Sequence, residues 1–178
     1  MLANWTASNL LLAIMTLLMM EACAVKPLSL DAADHANPCI RLADIHGLWG
    51  GIDIAILADG TAYLREVKVR QERKERRFKK TLPPSDLAGM KQFIANAGYF
   101  SFREKTRAGV PDEARPRITA CFDGRCLSSA KWASDKDSRF DLVYQRLLEL
   151  AEGIAKERPI WVGKYDASVA WPSFLKTT

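Results

Sequence analysis

The chain has 178 residues, with 26 Lys and Arg against 21 Asp and Glu, and a formal net charge of +5. That length accommodates one domain with appendages and a core of its own. The uncharged apolar run Leu10 to Met20 has 11 residues, which excludes a bilayer span and suits the centre of an export signal.

Three fates of the leader follow from the residues after that run. Met20-Glu21-Ala22-Cys23 resembles a bacterial lipobox, which implies a diacylglyceryl thioether on Cys23 and a membrane partner reached through that lipid. Ala22-Cys23-Ala24 also fits ordinary signal cleavage, which gives a soluble periplasmic or secreted protein, and an uncleaved anchor is the third fate. Either cleavage removes Glu21 and no basic residue, leaving 26 positive and 20 negative side chains, a net +6. An exported chain of that sign meets anionic lipid or another acidic envelope component rather than nucleic acid. Residues 1–23 therefore read as a signal peptide with its lipobox. Residues 24–38, aperiodic and holding Pro27 and Pro38, read as a linker. Residues 39–158 read as an α+β domain and 159–178 as an aromatic tail.

Within the domain, Gly47-Leu48-Trp49-Gly50-Gly51 leads into the first predicted strand, and its glycines permit a tight turn or a close backbone approach. No Lys-Ser/Thr follows, so it is a poor phosphate cradle. Ile52, Ile54 and Ile56 alternate with smaller or polar residues, predicting a strand near 52–58 with one buried face. Asp59-Gly60 marks a hairpin turn, and the returning strand covers about 61–70.

Residues 65–80 carry nine positive and three negative side chains. Val67 and Val69 alternate with charge, and Arg76 to Leu82 is expected to return as a third strand with Phe78 inward. A ribbon this basic suits a sheet edge, where charge deters unwanted pairing. Two readings follow: a solvated edge, or an anion-binding ribbon centred on Arg73, Lys74, Arg76 and Arg77.

Pro83-Pro84 closes the ribbon and Ser85 is the expected N-cap of a helix over 85–97. Leu87, Met90, Ile94 and Ala97 form its apolar stripe, and Gly98 ends it. A loop of fourteen residues, 103–116, follows; ordered loops of that length are often functional.

Ile118 to Leu127 is a second hairpin about Asp123-Gly124, with strands near 117–122 and 125–130. A two-residue turn there sets Cys121 opposite Cys126 in a non-hydrogen-bonded pair, where a disulfide closes with little backbone movement. The alternative joins Cys39 to one of these cysteines. Phe140, Val143, Leu147, Ala151 and Ile154 predict a helix over 137–157, with Asp137 at its start and Arg158 at its end. In the tail, Trp161, Val162 and Tyr165 either add a strand or pack across the core, and Trp171, Phe174 and Leu175 suggest docking.

The expected fold class is α+β: an antiparallel sheet built from two β-hairpins, with two amphipathic helices on one face and ββα repeated. Gly50-Gly51, Asp59-Gly60, Pro111-Asp112, Asp123-Gly124 and Lys131-Trp132 give the chain a pattern that resembles a family of short exported bacterial domains of unknown function, often lipoproteins. The resemblance covers roughly residues 40–158. It implies a fold and a compartment, and no active site comes with it.

A search for chemistry yields little. His35, His46, Cys39 and Asp44 lack the short spacings of a zinc site. G-x-S-x-G is absent, and Cys121 and Cys126 lack redox C-x-x-C spacing. No metal and no cofactor is expected. The favoured expectation is a non-enzymatic envelope protein acting as a binding or structural module, and the alternative is a small exported enzyme with an unrecognised site.

Overall fold

The computed structural model describes residues 38–168. The leader with Cys23, the linker with His35, and the tail residues Trp171, Phe174 and Leu175 lie outside the described residues. The elements are β1 (Ile40–His46), β2 (Gly50–Ile56), β3 (Thr61–Lys68), a single helical turn at Val69–Glu72, β4 (Lys74–Thr81), α1 (Pro84–Asn96), β5 (Arg117–Phe122), β6 (Arg125–Ala130), α2 (Ser138–Ala155) and β7 (Trp161–Lys164). All seven strands join one antiparallel sheet in the order β6-β5-β1-β2-β3-β4-β7.

Strand alternation sorts the sheet into two faces. Register places Ile40 and Leu42 beside Ile56 and Ile54, then Leu64 and Phe78, and on the other side Ala120 and Ile118. These residues are buried in one core with Leu87, Met90 and Ile94 of α1 and with Phe140, Val143, Leu147, Ala151 and Ile154 of α2. The 3.6-residue spacing of each helical stripe is what lets a whole helix meet a flat face. Each such aliphatic or aromatic side chain contributes about 1.5–3 kcal/mol on burial. Among the described residues no helix is long and apolar enough to cross a membrane.

Several expectations are corrected here. The sheet is larger than two hairpins, and a repeated ββα unit is not present: four strands precede α1, two precede α2, and β7 follows. The interior strand β1, between β5 and β2, was not anticipated. Its alternation is clear only over Ile40–Ala43, and the Asn37-Pro38 before it reads as the end of the linker. The segment at Trp161 takes the strand alternative and pairs with Lys74–Arg77, so only the later half of β4 resembles an edge. Ser85 is not the cap of α1; Pro83 holds that position and Pro84 begins the helix. Proline is favoured there because its missing N–H would be unpaired anyway.

The two hairpin turns differ. Asp123 and Gly124 both have positive φ, 51° and 70°, as a type I′ turn requires. At Asp59-Gly60 only the glycine does, and Leu57 N–H donates across to Thr61 O at 2.8 Å, so three residues make that loop. Cys121 lies opposite Cys126 and is bonded to it. Cys39 is a buried thiol, its pKa pushed up by burial.

Candidate functional site

The four arginines and lysines expected to bind anions do not form one patch. Alternation along β4 sends Arg76 to the helix-covered face and Arg77 to the opposite one. Arg76 Nε donates to Glu66 Oε2 at 2.7 Å. Arg77 Nε donates to Glu75 Oε1 at 2.5 Å, and its guanidinium stands 4.3 Å from the Trp161 ring centroid. Both are held by carboxylates within the sheet. Arg73 and Lys74 are exposed at the start of β4, and these two belong to a larger group.

That group gathers at one end of the sheet, where β1 meets β2, β3 meets β4, and β7 finishes. Register puts Lys68 opposite Lys74, and Lys74 opposite Lys164. Three exposed lysines on adjacent strands thus stand in a single cross-strand row. Side chains directly opposite have Cβ atoms about 4.5–5.5 Å apart, and like charges at that spacing are destabilising. Lys68 Nζ lies 3.9 Å from Glu66 Oε1, a carboxylate that Arg76 also engages.

Arg73 stands beside the row in the left-handed region, φ 45°, because one helical turn must reverse there into β4. Its carbonyl accepts from Tyr165 N–H at 2.5 Å, which ties the end of β7 to this turn. Gly47, Val69, Arg73, Lys164, Tyr165 and Asp166 line an open depression of about 600 Å³.

The β1–β2 turn forms the tip of this end. Leu48 and Trp49 are 50% and 49% exposed. Leu48 N–H donates to His46 Nδ1 at 3.2 Å, the His46 and Trp49 rings stack at 6.4 Å, and the Arg70 guanidinium sits 3.8 Å from the Trp49 centroid. Gly50 and Gly51 make the turn possible. A Cβ on Gly50 would lie 2.0 Å from Val67 O, and one on Gly51 2.0 Å from Asp44 O. Their role is close approach of neighbouring strands.

The face opposite the helices carries a second charged group. Asp53 pairs in register with Arg65, and Arg65 with Arg77. Arg65 Nη2 also donates to Asp166 O at 3.3 Å, and its guanidinium lies 5.0 Å from the Tyr165 centroid. Burial raises the pKa of Asp53, against the opposing pull of Arg41, the Asp44 amide and Arg65. On the helix side, Tyr144 Oη donates to Asp44 Oδ2 at 2.6 Å, joining α2 to β1. Burial raises both of these pKa values, with the Tyr144 hydrogen bond partly countering it at Asp44.

The 103–116 loop is pinned. Arg107 Nη2 donates to both Glu113 oxygens at 2.8 Å and Arg107 Nε to Asp135 Oδ1 at 3.1 Å. Arg107 and Arg115 both lie against Trp132. Asp112 turns the loop with φ 62°, Glu113 N–H donates to Val110 O at 3.1 Å, and Trp132 receives the two arginines.

Among the described residues no group of three or more His, Cys, Asp and Glu could hold a metal ion. Leu48, Trp49, Lys68, Arg70 and Lys164 were absent from the expected site. Two large apolar residues between glycines was the available signal for the first pair. Lys164 had none, because its place depends on how β7 pairs. No protein-family model, curated protein or solved structure matches the chain.

Proposed function

We propose that the protein is a non-enzymatic cell-envelope binding module, anchored through a lipid on Cys23, whose lysine row and Arg73 hold anionic groups. The observation that carries this reading is the cross-strand alignment of Lys68, Lys74 and Lys164. Like charges side by side repel one another, and an anion held against all three would offset that repulsion. Each Lys or Arg near an anionic surface contributes about 1 kcal/mol, within a Debye length of about 8–10 Å. Lys68, Lys74, Lys164, Arg70 and Arg73 together would hold the domain to such a surface against thermal escape. The resemblance to exported lipoprotein domains points to the same compartment.

The test separates this role from a solvated edge. All of the core lies within the compact unit Ala33–Thr178, so a chain starting at Val25 retains it. That chain is expected to bind vesicles containing phosphatidylglycerol at about 10 mM salt and to weaken steeply toward about 150 mM. Replacing Lys68, Lys74 and Lys164 by threonine is expected to abolish the low-salt binding while the domain stays folded, because all three side chains are exposed. Unchanged binding by the triple variant returns the segment to a solvated edge.

A further inference from the structure

We infer that Leu48 and Trp49 enter the interfacial layer of an anionic phospholipid bilayer, making the β1–β2 turn an apolar anchor beside the lysine row. The inference rests on the anion-binding reading and adds the kind of partner: a lipid surface rather than a soluble polyanion. A soluble polyanion needs only cations. A bilayer interface also offers a layer where an indole is favoured, with its ring among the headgroups and its N–H hydrated. The turn presents both requirements together. Two large side chains are half exposed at the tip of a three-residue connection. Exposed cations surround them: Arg70 stacked on Trp49, with Lys68, Arg73, Lys74 and Lys164 nearby in the sheet. Glu66 at 3.9 Å from Lys68, Asp166 beside Arg73 and, in sequence, Glu72 are acids of this end, fewer than its five cations.

The turn is also rigid enough to insert. Gly50 and Gly51 lock it against β3 and β1, and His46 braces it through Leu48 N–H and the Trp49 ring. The indole is therefore held out by the fold, without an ordering cost at the moment of binding.

The lipid anchor is compatible with this orientation. The chain enters β1 at Ile40, the end of the strand opposite His46. Fourteen residues, 24–37, separate Cys23 from Pro38, the first described residue. Fully extended they reach about 50 Å, against about 23 Å for a seven-residue strand. A domain tethered at Cys23 can thus turn its Trp49 end to the same membrane.

The experiment uses the chain from Val25, vesicles of phosphatidylcholine with about a third phosphatidylglycerol, the same vesicles with dibrominated acyl chains, and dextran sulfate as a soluble polyanion. The expected result is quenching of tryptophan emission by the brominated vesicles that disappears in Trp49→Phe, although Trp132, Trp161 and Trp171 remain. The Leu48→Ser, Trp49→Ser variant is expected to lose about tenfold in vesicle affinity with its dextran sulfate affinity unchanged. Trp49→Phe keeps an aromatic ring on the turn, so it reads insertion even if the double variant folds poorly. Equal quenching in wild type and Trp49→Phe overturns the inference, as does equal loss toward vesicles and dextran sulfate. If dextran sulfate binds and the vesicle signal is independent of Trp49, the apolar anchor at the β1–β2 turn fails and the anion-binding reading stands. If neither ligand binds, both fail.

Discussion

Arg65 Nη2 donates to Glu75 Oε2 at 3.0 Å across neighbouring strands, and the two side chains are only 5% and 1% exposed. The other Glu75 oxygen accepts from Arg77. One buried carboxylate thus holds two guanidinium groups at the base of the most basic segment of the chain. Removing one member of a buried pair leaves a buried charge uncompensated, at a cost of about 3–5 kcal/mol. Glu75→Ala is expected to lose that much in urea unfolding. A loss under about 1 kcal/mol would show that the site behaves as an exposed ion pair.

Gly50 and Gly124 both have positive φ but differ in surroundings. Around Gly124 no heavy atom lies within 4 Å of an added Cβ, whereas Gly50 meets the Val67 carbonyl at 2.0 Å. Gly124→Ala carries only the left-handed backbone penalty, about 1–2 kcal/mol. Gly50→Ala must also part β2 from β3, and is expected to cost more than Gly124→Ala or to prevent folding. Equal melting temperatures for the two variants would contradict the close approach.

Glu113 is held near a pKa of about 2 by hydrogen bonds from the Ser134 hydroxyl, Arg107 and the Ser134 amide. A carboxylate lowered on folding gives stability above its unfolded value, about 4.3, and loses it as pH falls toward the folded one. The wild type is therefore expected to lose stability between about pH 4.5 and 2, and Glu113→Gln to be flatter there. Parallel acid limbs would remove Glu113 from the account of the loop.

The chain from Val25 has three cysteines, Cys39, Cys121 and Cys126. Native protein is expected to expose no reactive thiol, and unfolded, unreduced protein one, from Cys39. Closing so short a loop gives about 2 kcal/mol in the chain-entropy model, so Cys121→Ser with Cys126→Ser is expected to fold with about that loss. A thiol titrating in native protein would place Cys39 outside the core.

Where local rules act, the residues alone determined the outcome. Asp123-Gly124 needs positive φ at both positions, which fixed the second hairpin and, through its register, the facing of Cys121 and Cys126. Leu87, Met90 and Ile94, and the longer stripe from Phe140 to Ile154, fixed two helices and the faces they bury. Phe78 was legible as the inward residue of β4 for the same reason, a period that only one face satisfies. What escaped was decided by pairing between distant segments. β1 lies inside the sheet because Ile40 and Leu42 fit between β2 and β5, a match no local pattern announces. The four expected cations do not share one patch because alternation puts Arg76 and Arg77 on opposite faces, where Glu66 of β3 engages the first and Glu75 of β4 the second. The lysine row depends on β7: Lys164 joins Lys68 and Lys74 only once a segment ninety residues after Lys74 lies beside it. Backbone preference is written residue by residue; which charges become neighbours is set by the order of strands.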